Sequence, residues 1–519
     1  MKIYDNKAII IQTRNPHLIT EKIKKSKVVC EKAGMFDVAV HWGLREIQCL
    51  AELNAKMVPS PILRDYAWTG KFTPFEHQKT TASFLTANKK SFCFSEQGTG
   101  KTASVIWAAD YLLKVGAIRR VLVLCPLSIM KSAWQKDLFT FAMHRGCSVA
   151  YGTADQRKKI INQGCEFVII NFDGAAIVKD EILNGGFDLI VSDECTAYKN
   201  NKTARWKVFK EITDNCEWLW MLTGTPAAQS PLDAYGLAKL VNPKGSPKYF
   251  GQFRDMVMMK VSNFVWKPKS AADKIVHAML QPAIRFEKAQ CLDLPKVTYV
   301  EREAPLTPQQ LKYYAILKKQ MILETGDGDS VSSVNAATNI NKLLQLSGGC
   351  AYSDSGEVIE FDVSNRLNVV LEVIQESSHK VLIFVQFTHT IDLLKTFLDK
   401  HKVTNEIISG KVSVNKRAEV ITNFQEKKDP HVLIIQPQAA AHGLTLTAAN
   451  TIIWYSPIPS VETYLQANAR IDRPGQHNPM TIVNIKGSPV EEKLYGLLQN
   501  NIEGHRKIID LYRDVIVTK

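Results

Sequence analysis

Three groups of residues in this chain could handle a nucleoside triphosphate. In Ser95-Glu96-Gln97-Gly98-Thr99-Gly100-Lys101-Thr102, the glycines let backbone N–H groups close round an anion. Lys101 would pair with the β/γ-phosphates, and the Thr102 hydroxyl would reach Mg²⁺. In Asp188-Leu189-Ile190-Val191-Ser192-Asp193-Glu194, an apolar run ends in two carboxylates. Asp193 would hold Mg²⁺ through water, and Glu194 would orient and deprotonate an attacking water. Arg470 and Arg473, three apart on an expected helical segment, share a face and could stabilise charge on a γ-phosphate. The chemistry implied is ATP hydrolysis, with ATP and Mg²⁺ as cofactors. Each group also has a plainer reading: a Gly-rich βα turn with a surface lysine, an Asp-Glu pair capping a strand, and a basic face that pairs with Asp472 or with nucleic acid. Leu222-Thr223-Gly224-Thr225-Pro226 suits a hydroxyl-bearing sensor or a tight turn.

Positioning such groups takes an α/β sheet. Ser91–Phe94 reads as a buried strand entering the glycine loop, and Thr102–Lys114 as the helix leaving it. Val121–Cys125, 167–170, 189–191 and Trp218–Leu222 are further apolar runs separated by helical spacing, including one helix over 129–141. Runs apolar on both faces indicate a parallel sheet covered on both sides, with ligands at the carboxyl ends of its strands. This first α/β unit spans 67–242. A second, 296–490, has strands expected at 380–384, 405–408, 432–435, 451–455 and 480–484. Between them, 243–295 reads as a helical, basic insertion, and 327–330 as a flexible loop. Residues 1–66 read as a small α+β accessory module. Its lysines 22, 24, 25 and 27 are expected on a helix, either touching a phosphate backbone or simply solvated. The tail, 491–519, is expected as an amphipathic helix bracing the domains.

The 519 residues suit about three domains. A net charge of +14 favours a polyanionic partner, nucleic acid before an anionic membrane. Ten scattered cysteines lack zinc spacing and read as reduced core residues. No apolar stretch approaches the ~20 residues that span a bilayer, and the N-terminus lacks a signal-peptide core. A soluble, cytoplasmic protein is expected.

The motifs, taken in order, resemble superfamily 2 nucleic-acid motors, and specifically SWI/SNF-type DNA translocases, over about residues 70–500. Phe75-Glu76-His77-Gln78 resembles the adenine-reading Q motif, Ser95–Thr102 motif I, and Leu124–Ser128 with Trp134 motif Ia. Asp193-Glu194 followed by Lys199-Asn200 resembles motif II, and Leu222–Pro226 motif III. Leu294-Pro295-Lys296 with Gln310 and Tyr313 resembles the family's link between lobes. In the second half, 381–387 resembles motif IV, 443–449 motif V, and Gln466-Ala467 with Arg470, Arg473 and Gly475-Gln476 motif VI. Motif I of this family does not ask for glycine at Ser95. Departures are Thr196 for the usual histidine, Gln436-Pro437-Gln438 for Ser-Thr-Arg, Ala440-Ala441-His442 for glycines, and Ala469 and Asp472 in motif VI. They bear on DNA grip and coupling between lobes, not on hydrolysis.

The resemblance implies two RecA-like lobes in tandem with ATP between them. It implies nucleotide binding by Gln78, Gly98, Thr99, Gly100, Lys101, Thr102 and Gln466, with Asp193 and Thr102 on the metal and Arg470 and Arg473 as fingers. Nucleic-acid contacts follow at Ser128, Asn171, Phe387, Gly410 and Gly443. The implied activity is translocation on duplex or branched DNA, remodelling or reannealing it or displacing bound proteins. A strand-separating DNA or RNA helicase, or a non-catalytic nucleic-acid-binding scaffold, stays open as an alternative. The length leaves no room for chromatin-reading appendages, so a compact monomeric motor of a bacterial or phage-infected cytosol is expected.

Overall fold

The computed structural model describes the chain outside residues 56, 228, 263–265, 327–332, 353–356, 441–444 and 511–519. Side chains are described outside those and outside 320–326, 333–339, 414–415, 440 and 504–510. The expected loop at 327–330 thus lies outside the described residues. Two units result, one built on Met1–Leu292 and the other on Asp293–Glu503.

The first unit opens with an antiparallel sheet in the order Lys2–Tyr4, Ala8–Thr13, Met35–His41, Ser26–Lys32. Alternation along Ala8–Thr13 and Met35–His41 buries Ile9, Ile11, Val38 and Val40 on one face, against Ile47 and Leu50 of the helix Leu44–Glu52. The lysine-rich stretch is not helical as expected. The helix there is only His17–Thr20, and Lys27 lies in the strand Ser26–Lys32. A run of lysines offers no apolar stripe to hold a helix down. Ile23 alone is buried, and Ser26 Oγ donates to the Ile23 carbonyl at 2.5 Å to close a turn.

The main sheet of this unit has seven strands, in the order Ala283–Ile284, Lys90–Cys93, Trp218–Leu222, Leu189–Asp193, Val121–Cys125, Phe167–Asn171, Cys147–Ala150. All pairings are parallel. Its core strands are buried on both faces, which is why they appear as unbroken apolar runs. The strands ending at Cys93, Leu222 and Asp193 are neighbours, with Leu222 opposite both Cys93 and Asp193. Three loops therefore leave the sheet side by side at one level. The helix expected over 129–141 is realised in pieces: a 3₁₀ turn Leu127–Ile129, a π-helix Met130–Gln135 and an α-helix Lys136–Phe141. Residues 243–295 carry helices Phe250–Val257, Ala272–Met279 and Lys288–Cys291 and a short hairpin, Met258–Lys260 with Trp266–Pro268. They also supply the edge strand Ala283–Ile284, which places the end of this stretch inside the first sheet.

The second unit is a six-stranded parallel sheet in the order Val297–Glu303, Met480–Lys486, Ala449–Trp454, Lys380–Phe384, Val432–Ile435, Asn405–Ile408. Its core gathers Val381, Ile383, Ile434 and Ile453 beneath helices Ser364–Glu376 and Thr388–Lys400. A helix runs over Pro489–Asp510; residues 511–519 of the expected brace lie outside the described ones. The tandem parallel-sheet, RecA-like architecture is the one the motifs imply.

Candidate nucleotide site

The phosphate loop sits where the strand Lys90–Cys93 hands over to the helix Lys101–Lys114. Gly98 and Gly100 have φ of 85° and 78°, in the left-handed region where a side chain is strained. A Cβ at position 100 would also lie 2.0 Å from Gln78 Nε2. Lys101 turns back into the loop, its Nζ donating to Ser95 O (2.8 Å) and Glu96 O (3.1 Å). Those are weak neutral partners that phosphate oxygens would replace. Thr102 is the second residue of the helix, next to the positive end of its dipole.

Gln78 lies in the first turn of the helix Glu76–Ala87 and is mostly buried. Its Oε1 accepts from Phe75 N at 3.0 Å and its Nε2 donates to Thr99 O at 3.4 Å. His77 Nε2 lies 2.8 Å from the same carbonyl, and burial pushes the imidazole below its usual range, so it is neutral and donates. The Q-motif residues thus grip the loop at Thr99 from outside. Behind the loop, Thr225 N donates to Thr223 Oγ1 (3.1 Å), and both threonines are buried. A Cβ on Gly224 would lie 3.7 Å from Ser95 O, so the third motif abuts the first.

Asp193 closes the strand Leu189–Asp193. Trp134 Nε1 donates to its Oδ2 (2.9 Å) and Glu194 N to its Oδ1 (3.0 Å). Desolvation pushes its carboxyl above the usual range, and Trp134, Lys101 and the Glu194 amide pull it back. A desolvated carboxylate of this kind gains from a cation. Glu194 has φ 51° and ψ 54°, a left-handed backbone that costs a non-glycine residue about 1–2 kcal/mol. Such strain collects where a side chain must be re-aimed for function, here at the end of the strand carrying Asp193.

The second unit holds the remaining sequence candidates. Gln466 is buried on the helix Val461–Asn468, with Nε2 donating to Glu462 Oε1 at 3.3 Å. The arginines are not on a helix, contrary to expectation. The helix ends at Asn468, and Leu446 N takes the Arg470 carbonyl at 3.0 Å. Buried Ile471, together with Pro474 and Gly475 (φ 96°), forces a turn. Arg470 is 2% exposed. Arg473 is half-buried, its Nε donating to Ala469 O (2.8 Å) and its Nη1 to Thr445 Oγ1 (3.3 Å).

Of the candidate nucleic-acid contacts, Ser128 is exposed in the 3₁₀ turn after Pro126. Asn171 precedes the helix Phe172–Ile177, and its Oδ1 accepts from Arg157 Nη1 at 2.9 Å. Phe387 precedes the helix Thr388–Lys400, and exposed Gly410 donates its N–H to Gln436 Oε1 at 3.1 Å. Gln436 Nε2 also donates to Gln386 O at 3.3 Å, so one side chain ties these two loops together. Gly443 lies outside the described residues. The first unit therefore gathers Gln78, Gly98–Thr102, Asp193 and Glu194, while Phe387 and Gly410 share the far sheet's strand ends. Sequence reasoning missed how Trp134 serves Asp193. Trp134 is visible in the sequence only as part of the stretch resembling motif Ia; that a buried tryptophan needs a partner for its N–H does not say which carboxylate it finds.

Comparison with known proteins gives the lineage. A model of the SNF2-related domain matches residues 77–353, more than half of the chain. The chain belongs to the SNF2-related family. A helicase conserved C-terminal domain follows at 365–475, and the pair makes the chain an ATP hydrolase of the helicase type. It is 27% identical over 435 residues to a mouse chromodomain-helicase-DNA-binding protein 1-like, covering 80% of this chain and 47% of the relative. An uncharacterized ATP-dependent helicase of Mycoplasma genitalium is 26% identical over 413 residues, covering 78% and 39% respectively. The chain thus spans about half or less of these curated relatives. A putative protein p41 of Acyrthosiphon pisum secondary endosymbiont phage 1 is 23% identical, with 80% of this chain and 93% of that one covered. Among solved structures, the Sulfolobus solfataricus SWI2/SNF2 ATPase core in complex with double-stranded DNA matches with a TM-score of 0.43 and 21% identity, over 86% of this chain and 94% of that one. Among the described residues no helix is long and apolar enough to cross a membrane.

Proposed function

We propose that this protein is an ATP-driven motor that translocates on double-stranded DNA, remodelling or reannealing it or displacing what is bound to it. The observation that carries the reading is that Lys101, in the loop-helix step after Lys90–Cys93, and Asp193 with Glu194, at the end of Leu189–Asp193, leave one parallel sheet at the same level on either side of Trp218–Leu222. Backbone N–H groups of Gly98–Thr102 and the Lys101 ammonium hold the β/γ-phosphates. Asp193 and the Thr102 hydroxyl are hard oxygen donors, and among the described residues no group of three or more His, Cys, Asp or Glu could cage a metal. That set fits Mg²⁺, which is commonly held by one or two carboxylates, with phosphates and water completing the shell. When bound, the ion supplies positive charge at the β/γ oxygens. Glu194 orients the attacking water and takes its proton. Arg470 and Arg473 are assigned as fingers on the γ-phosphate, with Gln466 on the nucleotide.

The net charge of +14 supports a polyanionic track. Ser128, Asn171, Phe387, Gly410 and Gly443 are assigned to the strand, mainly through its phosphates. The motor acts as a monomer in the cytosol. Steady-state hydrolysis with single-stranded, duplex and forked DNA and with RNA tests the reading. Duplex stimulation is expected, with loss of turnover in Lys101→Ala and Glu194→Gln. Normal turnover in both variants would sink it, and stimulation by RNA alone would assign an RNA-directed motor.

A further inference from the structure

The opening residues of the phosphate loop are held from outside the loop. Phe94 N donates to Ile284 O (2.8 Å) and Glu96 N to Phe286 O (2.9 Å), so the ladder between Lys90–Cys93 and Ala283–Ile284 runs on past both strands. Phe286 N donates to Ser95 Oγ at 3.1 Å. Across this junction lies Arg285, 6% exposed. Its Nη1 donates to Phe94 O (2.7 Å) and its Nη2 to Glu96 Oε1 (3.1 Å). The other Glu96 oxygen accepts from Lys288 N at 2.9 Å. Ser95 and Glu96 are also the residues whose carbonyls receive the Lys101 ammonium. Arg285 and the Glu96 side chain thus fix the backbone that sets where Lys101 stands.

We propose that Arg285 and Glu96 form a positioning pair that keeps the phosphate loop ordered for the nucleotide. The inference rests on the reading of this loop as the ATP site. A guanidinium held by a carboxylate and a carbonyl is a strong, directional brace. Without it, the loop must pay its ordering entropy when the nucleotide arrives. Asp193 closes another strand and keeps Trp134 as its partner, with Glu194 next to it, so the defect falls on binding and not on the chemical step.

The test is ATPase kinetics of the full chain together with direct binding of a fluorescent ADP analogue, for Arg285→Ala, Arg285→Lys, Glu96→Gln and Arg285→Ala with Glu96→Gln. Arg285→Ala is expected to raise KM and the analogue's Kd about tenfold, with kcat within about threefold of wild type. Arg285→Lys should recover part of the loss, and the double variant should be no worse than Arg285→Ala, because the two residues act as a unit. If Arg285→Ala does not fold, Glu96→Gln and Arg285→Lys carry the same test through KM. Unchanged KM and Kd with only a lowered Tm would make the pair merely structural and overturn the proposal, as would a loss confined to kcat. A wild-type chain that binds no nucleotide overturns the ATP reading and the pair's role with it. Equal binding by wild type and variants overturns the pair alone.

Discussion

Trp134 is the residue whose loss should be most specific in its effect. Its indole N–H donates to the ionised form of Asp193, so removing that donor pushes the carboxyl further up. On the proposed mechanism activity requires the carboxylate, so it rises with pH through this pKa. Trp134→Phe keeps the ring and loses the donor. The acid limb of its pH–rate profile should move to higher pH, with the alkaline limb in place. Gly100→Ala should cost nucleotide binding more than tenfold by the same kind of assay, since φ of 78° and the nearby Gln78 amide both oppose a Cβ. At this scale much of the site was legible. Lys101, Asp193 and Glu194 declare themselves by residue type and spacing. The left-handed backbone of Glu194 and the partners of Gln78 do not, because both depend on which strands become neighbours.

Among elements, the helix starting at Pro489 is pinned to the second sheet's helix Ser364–Glu376 by Arg366 and Glu491, 2% and 0% exposed by side chain and 2.7 Å apart. Glu491 also accepts from Gly487 N (2.9 Å) and Ser488 N (3.1 Å), and Arg366 donates to the Tyr455 carbonyl. Breaking a buried pair from one side costs about 3–5 kcal/mol. Arg366→Ala should lower the denaturant midpoint accordingly, and Arg366→Lys should restore less than half, because an ammonium cannot reproduce the guanidinium's fork. Most strands were legible because strands buried on both faces appear as apolar runs. The edge strands Cys147–Ala150 and Ala283–Ile284 were not, being short and mixed in composition. Nor was the turn carrying Arg470 and Arg473. Their spacing of three suits a helix equally well, and Pro474, Gly475 and the Leu446–Arg470 backbone bond together decide against one.

Over the whole molecule, two parallel-sheet units are joined in sequence at Leu292–Asp293. The alternation of apolar runs with helical spacing made two successive α/β units legible, but not that they share one architecture; the SNF2-related match, 77–353, runs across their junction. The N-terminal sheet, Lys2–His41, precedes the matched residues, so the family match says nothing of its role. On the proposed function, the net charge of +14 predicts a salt-dependent grip: duplex affinity should fall steeply between low and physiological ionic strength. The most direct test of the account is the ATP hydrolysis rate of the full chain with and without duplex DNA, beside Lys101→Ala and Glu194→Gln. The account predicts a rate that rises on adding duplex, is lost in Lys101→Ala, and falls about 10²–10⁴-fold in Glu194→Gln. A rate indifferent to duplex DNA, or one that survives both substitutions, would contradict it.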